Sequence, residues 1–208
     1  MLEHVPQWLG QAMRGLRAGA GKLVMAQPGL GQGFAAIELR SPAFADGGRL
    51  PLRFTADGEG VSPPLLWNGV PDAARSLALI VEDPDAPALQ PLVHAIVWSL
   101  PPGNGGLAEG AIRADGSGGE EGDVGRNSYF FEGWLPPDPP TGHGPHSYVF
   151  QLFALAEGED PRTTPGRSAL LKALRGRVLA AGLLTGTYSR GEPAETGRAG
   201  RATAAPAH

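Results

Sequence analysis

The chain has no cysteine among its 208 residues. That excludes a disulfide framework and a thiolate zinc site, and fits a reducing compartment, so the chain is expected in the cytoplasm. It also lacks a run of about 18 apolar residues, so no membrane-spanning helix is expected. Charge is scarce. Charged residues make up 18% of the chain, with a net charge of −4. A nucleic-acid binder would carry a basic stripe, so no nucleic-acid partner is expected. There is no Walker sequence and no GxSxG elbow. "GLGQG" at 29–33 has neither the GxGxxG spacing nor a strand-to-helix setting. The first residues lack the uninterrupted apolar stretch of a secretory signal. Nothing in the sequence asks for a cofactor.

Glycine and proline are plentiful, at 32 and 21 residues. Positions 101–146 hold 12 of the glycines and 7 of the prolines. That segment cannot be regular helix or strand, and a loop of this length is functional or disordered. Its second half carries Tyr129, Phe130, Phe131 and Trp134 and is expected to form a wall beside a site. Its Gly-rich part, 116–122, is expected to be mobile. The total length suits one domain with a sizeable core.

Val5, Trp8, Leu9, Ala12, Met13 and Leu16 have helical spacing, with Pro6 suited to a first turn. The spacing predicts an amphipathic helix over 5–17 within an N-terminal extension, 1–32. Its Trp8, Leu9 and Met13 face is expected to dock on the protein itself or on a second copy, as in a homodimer. A membrane-surface helix is the alternative, weakened by four glycines and few basic residues. The middle of the chain reads as β-structure. Strands are expected over 34–39, at an edge over 50–54, and over 77–81, 93–100 and 148–155. "LALIV" and "VHAIVWSL" are continuous enough for strands buried on both faces. Thr164-Pro165 predicts a helix start, with Leu170, Leu171, Leu174, Val178 and Leu179 as its stripe. A short strand over 183–188 follows, and 191–208 is expected to be a disordered tail.

Titratable groups gather at the mouths of these strands. Asp83-Pro84-Asp85-Ala86-Pro87 ends one run, His94 opens the next, and Gly142-His143-Gly144-Pro145-His146-Ser147-Tyr148 opens a third. In extended backbone Asp83 and Asp85 point the same way, and Pro84 and Pro87 restrict the chain around them. If the strands are neighbours, two carboxylates and two imidazoles meet at one sheet edge. Taken alone, the DPDAP segment reads as a solvated, strand-ending turn.

The chain resembles the phosphatidylethanolamine-binding protein family, in its bacterial Raf-kinase-inhibitor-like branch. The matching stretches are "SPPLLWNGVP" (62–71), "LALIVEDPDAP" (77–87), His94 in "VHAIVWSLP", "GRNSYFFEGW" (125–134), "PPTGHGPHSYVFQLFAL" (139–155) and "LTGTYSR" (184–190). The resemblance implies a mostly β domain over 33–190, with a large central sheet, a smaller second sheet and a C-terminal helix. It further implies a small pocket for phosphate, phosphoryl head groups or similar anions. Asp83, Asp85, His94, His146 and Tyr148 would line it, Pro87 would shape its rim, and Tyr188 would close it. One departure stands out: the family usually has Arg after the second histidine, and this chain has Ser147, which removes a fixed charge and a bidentate donor set.

The resulting expectation is a non-catalytic protein that binds a small anionic ligand, with His94, His146, Tyr148 and backbone N–H groups as donors. Asp83 and Asp85 would keep the imidazoles protonated. Two alternatives stay open. One is a partner-binding regulator of the kinase- or protease-inhibitor kind. The other is a metal-assisted hydrolase built on Asp83, Asp85, His94, His143 and His146.

Overall fold

The computed structural model describes residues 7–114, 123–161 and 164–190. The expected disordered tail and the Gly-rich stretch 116–122 lie outside these residues. Among the described residues the chain forms nine strands, two α-helices and several single 3-10 turns. The strands are β1 (Ala35–Ala36), β2 (Glu38–Arg40), β3 (Leu65–Asn68), β4 (Ser76–Asp83), β5 (Leu92–Leu100), β6 (Gly105–Leu107), β7 (Asp123–Val124), β8 (His146–Leu155) and β9 (Val178–Tyr188). The helices are α1 (Gln7–Ala12) and α2 (Arg167–Leu174).

Six strands make the large sheet in the order β1-β9-β8-β4-β5-β7, and β2-β3-β6 make a small antiparallel sheet. Among the described residues, only the β1–β9 strand pair in the large sheet is parallel. The two-residue period of a strand sends alternate side chains to opposite faces. Leu77, Leu79 and Val81 of β4 join Phe150 and Leu152 of β8 in a core against the small sheet, with Leu65 and Trp67. Ala78 and Ile80 face the other way, onto Leu170 and Leu174 of α2 and onto Val24 and Leu30. This double cover explains why "LALIV" shows no polar alternation.

Several local expectations differ from the structure. The 50–54 segment is not an edge strand; Leu52–Phe54 is a 3-10 turn after Pro51. Thr164 does not cap α2, because its hydroxyl bonds Glu132 and the helix starts at Arg167 after Gly166. Val178 and Leu179 extend β9 instead of the helix stripe. Among the described residues of the N-terminal extension, α1 covers Gln7–Ala12 of the expected 5–17 helix, and Trp8 and Leu16 are 68% and 61% exposed. Residues 13–19 are held mainly by polar contacts, whereas Val24 and Leu30 further along the extension are buried in the core.

One relationship buries a charge without weakening the core. The Glu82 carboxylate is fully buried. It accepts bonds from Arg167 Nε at 2.6 Å, Gln151 Nε2 at 2.7 Å and the backbone N–H of Val24 at 2.7 Å. A buried charge is tolerated when it is paired and its lone pairs are filled. The Val24 and Arg167 bonds tie the N-terminal extension and α2 to the large sheet.

Candidate functional site

Antiparallel topology assembles the site. β4 ends where β5 and β8 begin, so Asp83 pairs in register with Leu92, and Glu82 with Val149. His146 opens β8 beside Tyr188, the last residue of β9. Strand ends distant in sequence therefore share one edge of the sheet.

His94 is aimed by a defect in the ladder. The pairing steps from Val81↔Ala95 to Glu82↔Val93, which leaves His94 as the extra residue of a β-bulge. A bulge redirects one side chain relative to its neighbours. The His94 ring therefore meets Tyr148 edge-on, with centroids 4.9 Å apart, and lies 6.1 Å from the Trp134 ring. The loop crossing above completes the bond pattern. His94 Nδ1 donates to Leu135 O at 2.7 Å, and the Leu135 N–H donates to His94 O at 2.7 Å.

A cavity of about 380 Å³ opens at this edge. Its walls are mostly apolar, from Pro87, Leu92, Tyr129, Phe131, Leu135 and nearby prolines, and its polar side chains are Asp83, His94, Asp138, His146 and Tyr148. Neither Arg nor Lys lines it among the described residues. The expected aromatic wall thus holds for Tyr129 and Phe131, while Phe130 is 81% exposed. Phe130 also has a φ of 66°, a left-handed conformation that costs a bulky residue energy.

Of the seven residues singled out from the sequence, Asp83, Pro87, His94, His146 and Tyr148 line the cavity. Asp85 and Tyr188 do not. Asp83 closes a strand but Asp85 already lies in the following turn, so the extended-backbone argument for a shared direction fails there. Asp85 Oδ2 accepts the Ser147 N–H at 2.7 Å, and Oδ1 pairs with Arg17. Arg17, from the N-terminal extension, thus places a guanidinium next to Asp85. Tyr188 donates its hydroxyl to Asp57. Asp57 also chelates Arg190, which reaches Asp138 and Pro139 O as well.

His143, which the sequence reading assigned only to the metal alternative, completes a relay. Asp83 Oδ2 lies 2.7 Å from His146 Nδ1, His146 Nε2 lies 2.7 Å from His143 Nδ1, and His143 Nε2 lies 2.9 Å from Met13 O. A carbonyl only accepts. Asp83 Oδ1 likewise accepts, from the N–H groups of Asp85 and Ala86. With acceptors at both ends, three hydrogen bonds need three protons on two imidazoles. With Asp83 ionised, that is one proton more than two neutral imidazoles carry. The turn that brings His143 back needs positive φ at Gly142 (85°) and Gly144 (103°), which glycine adopts freely.

The electrostatics divide the residues. Burial lowers the His94 pKa from 6.5, against the opposing pull of Asp83 and of Leu135 O. His94 is therefore neutral at pH 7, with the proton on Nδ1. Its Nε2 is buried and has no hydrogen-bond partner among the described residues. Burial, followed by the charge of Asp83, raises the Tyr148 pKa well above 10, so its phenol stays a donor. Burial and then His146 lower the His143 pKa, against the Met13 and Leu16 carbonyls, which raise it. Burial acts to raise the Asp85 pKa, but Arg17 and Ser147 outweigh it and the net shift is downward. All four ring nitrogens of His143 and His146 are engaged, so ligating a metal there would break the relay.

A β-rich two-sheet domain with an imidazole-and-carboxylate cavity at one sheet edge defines a small-ligand-pocket architecture, and the comparisons give it a family. Residues 40–189 match the family model for "Phosphatidylethanolamine-binding protein". A UPF0098 protein of Methanothermobacter thermautotrophicus is 41% identical over 159 residues, covering 74% of this chain and all of that one. A UPF0098 protein of Chlamydia muridarum is 37% identical, covering 74% and 99%. Among solved structures, a phosphatidylethanolamine-binding protein homolog of Chlamydia trachomatis is 34% identical, with a TM-score of 0.66, covering 74% and 98%. YbcL of E. coli, described as a new member of the mammalian PEBP family, is 29% identical, with a TM-score of 0.68, covering 74% and 99%. The chain belongs to the phosphatidylethanolamine-binding protein family.

Proposed function

We propose that this protein binds a small phosphorylated or otherwise anionic ligand without transforming it. The observation that carries the reading is the buried, unpartnered Nε2 of His94 beside the Tyr148 phenol in a mostly apolar cavity. Buried polar atoms are nearly always paired, so such an atom in a cavity wall marks a place for a ligand atom. Neutral His94 offers an acceptor and Tyr148 a donor. A phosphate monoester as its monoanion supplies both complements: P–OH for Nε2, and P–O for the phenol. A dianion instead requires His94 to take up a proton, and the new imidazolium gives a charge-assisted bond. The aliphatic part of the ligand lies against Leu92, Leu135, Tyr129 and Phe131. An ammonium head pairs with Asp83. His146 acts by fixing Asp83 and contributes no free donor, which departs from the expectation of two imidazolium donors.

Calorimetry with phosphoethanolamine and with inorganic phosphate tests this reading, at pH 5.5 to 8.5 in two buffers of different ionisation enthalpy. Affinity should fall as pH rises, with net proton uptake where the ligand is a dianion. Flat affinity and no proton uptake would assign the anion to backbone donors. Absence of binding at millimolar ligand would refute the reading. The exposed Phe130 and Phe131 at the rim, 81% and 69% accessible, favour a second reading as a partner-binding regulator. A pull-down with Phe130→Ser and with His94→Gln separates the two, since only the second variant alters the cavity.

A further inference from the structure

The N-terminal extension begins before the family match at residue 40, yet residues 13–19 are bonded to the loops beside the site. Met13 O accepts from His143 Nε2 at 2.9 Å, and Arg14 Nε donates to Gly142 O at 2.6 Å. Arg17 pairs with Asp85 and donates to Pro145 O at 3.3 Å. Ala18 and Gly19 donate their N–H groups to Ala86 O at 3.0 Å and Pro84 O at 2.8 Å. These long-range bonds run to two loops, 84–86 and 142–146, which are the loops that carry Asp85, His143 and His146. Apolar burial does little of the holding. Leu16 points to solvent, and Ala18 is the only buried apolar side chain in the segment. The segment is thus attached through the site's own polar groups.

We propose that residues 13–19 form a strap behind the cavity that braces the two loops carrying its polar residues, with Arg17 as a positioning residue for Asp85. The chain of consequence is short. Arg17 holds Asp85 Oδ1, Asp85 Oδ2 holds the Ser147 N–H, and Ser147 follows His146 at the start of β8. The strap's other anchor, Met13 O, fixes Nε2 of His143 as a donor and so sets where the protons of the His143–His146 pair lie. The groups facing His143 are His146 and, beyond it, Asp83; Arg17; and the Met13 and Leu16 carbonyls. The cation lowers its pKa and the carbonyls raise it. The strap acts on these residues whatever ligand the cavity takes.

The test uses the full chain and does not need a ligand. Ring resonances of His143 are followed with pH in the wild type, Arg17→Ala, Arg17→Lys and Trp8→Ser. Loss of Arg17 removes a nearby cation and admits water, so the His143 titration should move upward toward ordinary imidazole. Exchange of the Ser147 amide should quicken about fivefold, as for loss of an ion pair worth about 1 kcal/mol. Arg17→Lys keeps the cation and should retain wild-type behaviour, and Trp8→Ser on the exposed helix should change nothing. A second measurement covers the case of a poorly folded variant. In Asp85→Asn the strap loses its ionic anchor, so tryptic cleavage after Arg14 should speed up about fivefold. Unchanged His143 titration in Arg17→Ala, or unchanged cleavage in Asp85→Asn, would overturn the strap. Phosphate affinity should also fall about fivefold in Arg17→Ala. A wild type that binds no phosphate would refute the ligand reading alone, with the strap still judged by titration and cleavage.

Discussion

His146 Nδ1 lies 2.7 Å from Asp83 Oδ2 across a sequence separation of 63 residues. Both side chains are almost fully buried, at 2% and 4% exposure. The contact joins the end of β4 to the start of β8, and it makes the cavity floor and the strap one hydrogen-bonded unit. The polar bonds of residues 13–19 add to the expectation that the N-terminal extension docks through an apolar face.

The two histidines with lowered pKa values set an acid limit on stability. An unfolded imidazole titrates near 6.5, whereas burial depresses the folded values of His94 and His143. At lower pH the unfolded state therefore binds protons that the folded state refuses. Stability should be full above about pH 6.5 and should decline as pH falls from there through the folded values. His94→Gln should reduce that decline. Urea melts at half-unit intervals from pH 5 to 8 measure it, and an equal decline in the variant would contradict the assignment to His94.

Tyr148→Phe removes a donor from the cavity floor and leaves the ring in place. We expect the fold to lose no more than about 1 kcal/mol, while phosphate affinity falls roughly tenfold. Denaturation paired with calorimetry on the same sample separates the two effects. Unchanged affinity would show that the phenol does not face the ligand.

Arg167→Ala leaves the Glu82 carboxylate buried with one ionic partner fewer. The expected cost is about 3 kcal/mol. Adding Glu82→Gln should recover part of that loss, because the charge is gone while the side-chain shape remains. A double variant no more stable than Arg167→Ala alone would show that the backbone and Gln151 bonds already suffice for the charge.

Phe130→Gly should stabilise the loop. The side chain is mostly exposed, so little burial is lost, and glycine adopts a φ of 66° without the steric cost of a Cβ. The gain expected is about 0.5–1 kcal/mol at the thermal midpoint, after the added unfolded-state entropy of glycine is set against the 1–2 kcal/mol relief. A lower midpoint would mean that the Phe130 ring is packed in solution.

The amino-acid sequence by itself determined the central strands and four of the five polar residues named in the cavity wall, all but Asp138. "LALIV", "VHAIVWSL" and "YVFQLFAL" are apolar on both faces because a sheet and a helix layer cover them, so composition alone marks them as central strands. Asp83, His94, His146 and Tyr148 stand out because polar groups at the ends of such strands lie where a rigid scaffold meets a cavity. Direction and partnership were decided only in three dimensions. The bulge that turns His94 is a property of two paired strands, and neither strand alone encodes it. Asp85 turns away from Asp83 because the strand ends between them. Arg17 reaches Asp85, and His143 links His146 to Met13, across separations that no local periodicity records. Hydrophobic pattern is a short-range signal read from spacing, whereas an ion pair or a proton relay depends on which loops the completed sheet brings to one edge.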